Sequence, residues 1–386
     1  MRGAKAVEEW LLEDLAEDAR AAPEAIALKL QKLGRHPFSF FRGTLPAYVR
    51  SVRPALTGRL AEAQGLVLGD LHLENFGTFL NPAGEPCFDL NDFDEVTRGP
   101  LVIDLRRLAA SAALVSGGVA GAHAVLQGFA HGCQLRMDLP LQPPRSVRAL
   151  LARSWRIQPA RFLAHATVVE ARRLRLRLGQ GLHPGPPQLH RAVHAAVEQY
   201  RVRSGQGHRH ALLDLARRLA GNGSLGRRRY LALVSGLGPS PVLLDLKEPR
   251  PSPWGNPKTL LGVRPRASQV EQAARRLRVH SEAILGTAPL HGTLFQLREH
   301  SPHGLKLDAS ALTADALLAY ARYVGALLAR AWRRADQPVQ VLERALALSG
   351  DVLVRQCLAD AAQARADHTR FVVRRRLIAR RLALST

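Results

Sequence analysis

Two neighbouring loops carry the most informative residues of this sequence: Gly69-Asp70-Leu71-His72-Leu73-Glu74-Asn75-Phe76-Gly77, then Phe88-Asp89-Leu90-Asn91-Asp92-Phe93-Asp94-Glu95 with Asp104 beyond. Short apolar segments at 66–68 and 87–90 predict buried strands, and the polar residues follow the ends of those strands. Such loops, positioned by strands, are where binding and catalytic residues concentrate. The mixture of carboxylates and one amide suits divalent-metal and phosphate chemistry, because oxygen ligands hold Mg²⁺ and the metal neutralises phosphate charge.

Three residues of these loops have distinct chemical capacities. Asp70 can accept a hydroxyl proton, and Asn75, five residues later, can bind Mg²⁺ through its amide oxygen. Asp92, on the next loop, can supply the carboxylate that links the metal to phosphates. The alternative is that these residues only form turns. Carboxylates crowded between 89 and 95 repel one another unless cations lie among them, which favours a metal or an arginine cluster over plain turns.

A glycine-rich segment, Gly221-Asn222-Gly223-Ser224-Leu225-Gly226, has the spacing G-x-G-x-x-G. A dinucleotide-binding fold needs a strand before this motif and a helix after it. Here the pattern predicts a helix before it and a strand after it, which excludes a Rossmann fold. The glycines Gly221, Gly223 and Gly226 suit a flap over phosphates, and the alternative is a helix C-cap followed by a turn.

Lys247 ends a strand-like segment and is the only lysine between positions 33 and 257. Lysines are rare here, so one on a strand indicates a place where arginine would not serve. A compact ammonium reaches a phosphate where the guanidinium fork does not fit. Glu271, on the following predicted helix, is positioned in sequence to hold this lysine. The alternative is an exposed edge-strand lysine that discourages aggregation.

The coarse pattern predicts a small β-rich module at about 215–300 embedded in a helical protein. Helices are predicted at 6–33, from 100 to about 219, at 267–279, at 312–334 and at 340–383. Strands are predicted at 229–234 and 241–247, which form a hairpin, and at 292–298. The apolar stretch 108–130 is long enough to span a bilayer. Its Ala, Gly and Ser content and the Gly117-Gly118 break favour a buried helix pair, and no membrane span is expected.

The net charge of +23 comes from 55 basic and 32 acidic residues. Such a charge favours an anionic partner, but only 5% of the residues are aromatic, and a base-stacking surface has little to be built from. Specific nucleic-acid binding is therefore not expected, and an Arg-rich coding bias is an alternative origin of the charge. Cys87, Cys133 and Cys357 lack metal-ligand spacing, and no apolar signal segment begins the chain, so a reducing, cytoplasmic location is expected.

With these residues identified, the chain resembles the bacterial family catalogued as domain of unknown function 2252. The resemblance extends along the chain, through Phe40-Phe41-Arg42-Gly43, the two loops quoted above, 104–111, 221–226 and Leu246-Lys247-Glu248. The same loops resemble the catalytic core of aminoglycoside phosphotransferases and protein-kinase-like enzymes, whose pattern is H-G-D-x-H-x-x-N, then I-D-F, then D-P-x-x-D-L-A.

The kinase-like resemblance implies a role for each matching residue. Asp70, His72 and Asn75 match the first element, Asp92-Phe93 the second, and Gly99-Pro100 with Asp104-Leu105 the third. The implied roles are the base for Asp70, Mg²⁺ ligands for Asn75 and Asp92 with Asp94 beside them, and a structural anchor for Asp104. Two positions depart from the pattern, since Leu68 replaces the usual His or Tyr and Asp94 replaces the usual Gly.

The order of the elements implies a circular permutation. From Gly221 onward the elements follow the order of a kinase N-lobe, with the glycine loop, Lys247, Glu271 and a strand toward a hinge, yet the catalytic loop comes earlier in the chain. The expected architecture is therefore an α+β, kinase-like, two-lobed fold that is circularly permuted. Its parts are a helical segment (1–64), a catalytic-loop and helical region (65–214), a nucleotide-binding module (215–300), and a hinge with C-terminal helices (301–386).

The expected function is phosphoryl transfer that depends on Mg²⁺ and ATP, with an unidentified small-molecule or protein acceptor that the charge suggests is anionic. Two alternatives remain open at this point. One is a kinase-like enzyme that transfers a nucleotidyl group, because a fold does not fix the orientation of its nucleotide. The other is a non-catalytic nucleotide-binding or scaffold protein.

Overall fold

The computed structural model describes residues 7–179, 181–203, 205, 211–219, 227–235, 240–255 and 265–384. The helices are α1 (Val7–Ala21), α2 (Pro23–Leu33), α3 (Pro37–Gly43), α4 (Leu45–Val52), α5 (Val102–Ser116), α6 (Val119–Gln134), α7 (Arg145–Trp155), α8 (Pro159–Ala166), α9 (Leu189–Arg203), α10 (Arg266–Leu277), α11 (Ala314–Arg334) and α12 (Val339–Arg381). The strands are β1 (Gln64–Val67), β2 (Phe76–Leu80), β3 (Pro86–Leu90), β4 (Thr97–Pro100), β5 (Thr167–Glu170), β6 (Arg173–Leu176), β7 (Leu182–Pro184), β8 (Ala211–Arg218), β9 (Arg229–Ser235), β10 (Val242–Lys247), β11 (Leu285–Leu290) and β12 (Thr293–Glu299).

The helical part is built around α5, α6, α11 and α12, which pack on one another over the largest apolar core. The predicted buried helix pair is confirmed, because α5 ends at Gly117, whose positive φ of 79° suits glycine, and α6 begins at Val119. Among the described residues, no helix is both long and apolar enough to cross a membrane.

Two short antiparallel pairs of strands carry the loops quoted above. Strand β1 pairs with β4, and β2 pairs with β3. The loop at 69–75 runs from β1 to β2, and the loop at 91–96 runs from β3 to β4. Helix α11, late in the chain, lies beneath the first loop, where the Tyr320 hydroxyl donates a 2.7 Å hydrogen bond to the Leu73 carbonyl oxygen.

The β-rich part is an antiparallel six-stranded sheet with the order β11-β12-β10-β9-β8-β7. The predicted hairpin is confirmed, since β9 pairs with β10 in register from Lys247 opposite Arg229 to Val242 opposite Val234. Helix α9 covers one face through a core that includes Val193, Tyr230 and Leu246. Because side chains alternate along a strand, Lys247 points to the opposite face, toward the loops of the helical part.

The prediction of helix up to about 219 is wrong in part. Residues 211–218 form β8, which pairs along β9, and β5, β6 and β7 also lie in the stretch predicted to be helical. The sequence Ala-Leu-Leu-Asp-Leu-Ala-Arg-Arg is rich in helix formers, but pairing with β9 overrides that preference. A strand, not a helix, therefore precedes the glycine motif in the chain, and the sheet begins earlier than 215.

Candidate functional site

The loop at 69–75 is fixed at its first residues by Asp104. This carboxylate is fully buried and accepts hydrogen bonds from the backbone N–H groups of Leu68 (2.6 Å) and Gly69 (2.8 Å). Burial raises the pKa of Asp104 to about 7, although the two backbone donors act in the opposite direction. Gly69 has φ +80°, and a Cβ there would lie 2.6 Å from the carbonyl oxygen of Glu95, so the loop needs glycine at this position.

Asp70 lies next in the loop, paired with a buried arginine of α5. Arg107 Nε donates to Asp70 Oδ1 at 2.8 Å, and the guanidinium packs over the rings of Phe41 (4.2 Å) and Tyr48 (4.4 Å). The Asp70 side chain keeps 24% exposure, so a ligand can reach it. Burial raises the pKa of Asp70, while Arg107 lowers it, and the net direction is upward. A raised pKa makes this carboxylate a better proton acceptor.

Asn75 is oriented by a hydrogen bond to the backbone of Asp70. Its side-chain NH₂ donates to the Asp70 carbonyl oxygen at 2.5 Å, which leaves the amide oxygen as the atom available to a cation. His72 is buried, accepts the Glu74 backbone N–H at 3.2 Å, and lies edge-on to Phe38. Burial lowers the pKa of His72 well below its ordinary value, so the ring is neutral and supports the loop rather than carrying charge.

The second loop places Asp92 and Asp94 among cations. Burial acts to raise the pKa of Asp92, but the charges of Lys247 and Lys306 outweigh it, and the net direction is downward. The carboxylate is therefore ionised at neutral pH. Asp94 contacts the Lys247 ammonium, and it also accepts from Arg227 (3.3 Å) and Gln296 (3.2 Å). The acidic residues of this loop are therefore balanced by lysine and arginine, as their crowding predicts.

One cavity of about 370 Å³ joins the second loop to the sheet. Its charged and amide-bearing lining residues are Asn91, Asp92, Asp94, Arg218, Arg229, Asp245, Lys247, Glu282, Gln296, Arg298, Glu299 and Lys306. Asp92 and Lys247 thus share a cavity, although 92 and 247 lie in different parts of the fold. Asp70 and Asn75 do not line it, but Asp70 is close enough to Asp92 for the two carboxylates to interact electrostatically.

Of the residues predicted to bind a nucleotide, the structure places Lys247 in the cavity but does not pair it with Glu271. Lys247 lies in the cavity, while Glu271, on α10, forms its ion pair with Arg275 (3.0 Å) and not with Lys247. The lysine contacts Asp94 instead. The three glycines Gly221, Gly223 and Gly226 lie outside the described residues, in the connection from β8 to β9.

Residues 20–133 and 134–374 match a family described as "Uncharacterized protein conserved in bacteria", DUF2252. The chain belongs to the DUF2252 family. The family resemblance expected from the sequence is thereby confirmed. No curated protein and no solved structure matches the chain.

Of the three Mg²⁺ ligands expected from the sequence of this DUF2252 chain, two keep a donor oxygen suited to the ion and one is already engaged by cations. Among the described residues, no group of three or more His, Cys, Asp or Glu side chains is arranged to hold a metal. Magnesium needs fewer, because it commonly takes one or two carboxylates and completes its shell with water and phosphate oxygens. An amide oxygen such as that of Asn75 and a carboxylate such as that of Asp92 are ligand types that such a site uses. Asp94 is engaged by Lys247 and Arg227, which makes it the weakest of the three expected ligands.

Sequence reasoning missed Arg107 and Lys306 as site residues of the DUF2252 chain. Arg107 has a readable signal, since a charged residue inside the uniformly buried helix α5 requires a partner, which Asp70 supplies. Lys306 has no motif around it. Its only signal is that lysine is scarce, because six of the 55 basic residues are lysines.

Proposed function

We propose that this DUF2252 chain is an Mg²⁺- and ATP-dependent phosphotransferase with a circularly permuted, kinase-like fold. The observation that carries the proposal is that Asp92 and Lys247 line one cavity. The kinase-like resemblance requires these two residues to face each other, and they come from parts of the chain that the resemblance assigns to different lobes. A carboxylate and an ammonium across one cavity are what a metal-bound polyphosphate needs.

The construction of the loop at 69–75 supports the same proposal. Asp104 holds the start of the loop through two backbone N–H groups, and the Asn75 amide holds the Asp70 carbonyl. Both interactions serve to keep Asp70 and Asn75 in a fixed relation. Fixed positions are where phosphoryl transfer gains most of its rate, because little covalent chemistry is required of the protein.

The permutation is supported by where the late elements pack. Strands β8 and β9 flank the glycine motif, and Lys247 ends β10. Helix α10, β11 and β12 come next, in the order of a kinase N-lobe. Helix α11 then runs beneath the loop at 69–75 and bonds it through Tyr320. In the permuted order, α12, the N-terminal helices α1 to α4 and β1 would follow α11 before that loop.

In the proposed reaction, Asp70 orients the acceptor hydroxyl and takes its proton as the oxygen attacks the terminal phosphorus. Arg107 keeps Asp70 in place and bears on its pKa. Lys247 neutralises phosphate charge when it exchanges its contact with Asp94 for a phosphate oxygen. Asn75 and Asp92 would hold Mg²⁺, and the ion would supply positive charge that neutralises the phosphates.

The proposal is tested by ATP consumption against a panel of hydroxyl-bearing acceptors, with the mass of the product identifying the group transferred. Asp70→Asn and Asp92→Asn should each lower turnover by about 100-fold or more. The matched control is Asp336→Asn, an exposed aspartate with positive φ, where asparagine is well tolerated. Equal turnover in all four proteins, or an adenylyl mass increment on the product, would contradict phosphoryl transfer at this site.

A further inference from the structure

Lys306 lies in the segment that connects β12 to α11. This segment runs beside β2, where the Leu305 carbonyl accepts the Thr78 backbone N–H at 2.9 Å. Gly77 allows the close approach, since a Cβ there would lie 2.8 Å from the Leu305 carbonyl oxygen and 3.4 Å from Lys306 Cγ. The lysine is thus held by backbone pairing at the edge of the cavity, and its side chain lines that cavity.

The other lysine and arginine side chains that line the cavity have acidic partners. Arg218 and Arg229 pair with Asp245, Arg298 pairs with Glu282, and Lys247 pairs with Asp94. Lys306 makes no ion pair or hydrogen bond with any residue that the structure describes, and its side chain is exposed to solvent. A cation that lines a concave, charged cavity without a carboxylate partner is a ready site for an anionic group.

The charged surroundings of Lys306 place it toward the loop that carries Asp70. Desolvation lowers the pKa of Lys306. The charged groups that also act on this pKa are Asp92, Arg42, Arg298 and Glu74. Arg42 and Glu74 pair with each other, and Glu74 belongs to that loop. The corresponding groups around Lys247 are Asp92, Arg298 and Lys306. Asp92 and Arg298 interact electrostatically with both lysines, whereas Glu74, in the loop of the candidate base, is among the groups that act on Lys306 and not among those that act on Lys247.

We propose that Lys306 is a second phosphate-binding lysine, which contacts the terminal phosphoryl group while Lys247 contacts the phosphates that remain on the nucleotide. This inference rests on the proposed function. During transfer the acceptor oxygen bonds to the terminal phosphorus, the bond to the bridging oxygen breaks, and the acceptor proton passes to Asp70. Lys306 stays protonated throughout and neutralises the oxygens of the moving group.

The test compares the binding of Mg²⁺·ATP and Mg²⁺·ADP to the full chain by isothermal titration calorimetry. Lys306→Met should weaken ATP binding about tenfold or more, with ADP binding changed less than about twofold. Lys247→Met should weaken both nucleotides. The control is Arg191→Met, which removes the same charge from an exposed position on α9, across the sheet from the cavity. Thermal unfolding of each variant verifies that it is folded.

The outcomes separate this inference from the proposed function. If the wild-type chain binds neither nucleotide, the proposed function fails, and the role of Lys306 with it. If the wild type binds both nucleotides and Lys306→Met binds ATP equally well, only the role of Lys306 is overturned. An equal loss of ATP and ADP affinity in Lys306→Met would overturn the assignment to the terminal phosphate. Lys306→Arg, which keeps the charge, should recover part of the ATP affinity.

Discussion

The buried guanidinium of Arg107 bears directly on the behaviour of Asp70. It is fully buried against two aromatic rings, and it also donates to the Phe41 carbonyl oxygen at 3.0 Å, so its position is set independently of the carboxylate. Burial raises the pKa of Asp70 and Arg107 limits that rise. Among the neighbouring charges, Arg107 therefore has the largest influence on the basicity of the candidate base.

This dependence predicts a pH profile. Asp70 accepts a proton only when ionised, so turnover should rise with pH through its pKa, which lies above the ordinary value. Arg107→Met removes the positive charge and so raises the pKa of Asp70 further. The rising limb of the curve of turnover against pH should therefore move to higher pH. The measurement is kcat against pH for both proteins.

The neighbouring residue supplies the control for the pH profile. Arg106 is also buried on α5, but it pairs with Asp360 and not with Asp70. Arg106→Met should lower stability without moving the rising limb. A limb that moves equally in both variants would mean that general destabilisation, and not the charge on Arg107, sets the profile.

Asp104 predicts a pH effect on stability. Its pKa is about 7 in the folded protein and near the ordinary carboxyl value in the unfolded chain, so the folded state holds the extra proton between these values. The free energy of unfolding should therefore fall as pH rises from about 4 to about 7 through this group. Asp104→Asn removes that component, and it should cost about 2 kcal/mol because an amide cannot accept both backbone N–H groups.

Urea unfolding of the wild type and of Asp104→Asn, at several pH values, measures this contribution. Their difference isolates Asp104 from the other buried carboxylates, which titrate in both proteins. A difference that does not change between pH 4 and 7 would contradict the raised pKa.

Residue spacing was sufficient to predict part of the site. The loop that holds Asp70 and Asn75, and the placement of Asp92 after a second strand, follow from short-range patterns that survive folding. Lys306 was not predictable in this way, because its proposed role depends on the segment after β12 lying beside β2, which is a long-range contact. The partner of Lys247 was equally hidden, since a sequence does not reveal that Asp94 lies nearer than Glu271.

At the level of elements, the close crossing of α6 and α11 depends on glycine. A Cβ at Gly128 would overlap the Arg322 carbonyl oxygen, and one at Gly132 would lie 2.5 Å from the Ala326 carbonyl oxygen. On the facing helix, a Cβ at Gly325 would overlap the Val125 carbonyl oxygen. The two helices therefore touch backbone to backbone, and the loop at 69–75 rests on α11.

Gly128→Ala should consequently destabilise the protein by about 2–3 kcal/mol, because the added methyl group forces the helices apart. Gly350→Ala is the matched control, since no atom lies within 4 Å of a Cβ at that position of α12. There the same substitution should be neutral or stabilising by up to about 1 kcal/mol. Chemical denaturation measures both, and equal effects would contradict a tight crossing.

Element prediction succeeded where pattern and pairing agree and failed where they conflict. The hairpin of β9 and β10 has turn residues between two apolar strands, and the α5–α6 pair has a Gly-Gly break, so both follow from local sequence. Strand β8 has the composition of a helix, and pairing along β9, with the shorter β7 on its other side, makes it a strand. Local preference cannot reveal a partner that follows later in the chain.

For the molecule as a whole, both ends of the described chain pack in the same apolar cluster. Val7, Leu11 and Leu15 of α1 contact the region of Phe371 and Ile378 of α12. Ends that lie together allow the chain to be closed and reopened elsewhere, because contacts and not chain order define a fold.

A permuted chain tests this property. It joins the two ends through a short Gly/Ser linker and opens between α9 and β8, where the proposed kinase-like fold would begin. It should fold to the same mixed α+β structure, with an unfolding free energy within about 2 kcal/mol of the parent. A second permutant opened within α11, between Val324 and Gly325, should not fold, because it divides the helix that packs on α6. Circular dichroism and urea unfolding measure both.

The hydrogen bond from Tyr320 to the Leu73 carbonyl has a consequence for protein synthesis. The loop that carries Asp70 leaves the ribosome early, but the helix that supports it follows on the order of tens of seconds later at ordinary translation rates. Nascent chains that end before α11 therefore carry the loop without its support. A fragment that ends before α11 would have Asp70, Asn75 and Asp92, with Asp104 and Arg107 beside them, but not the helix on which their loop rests.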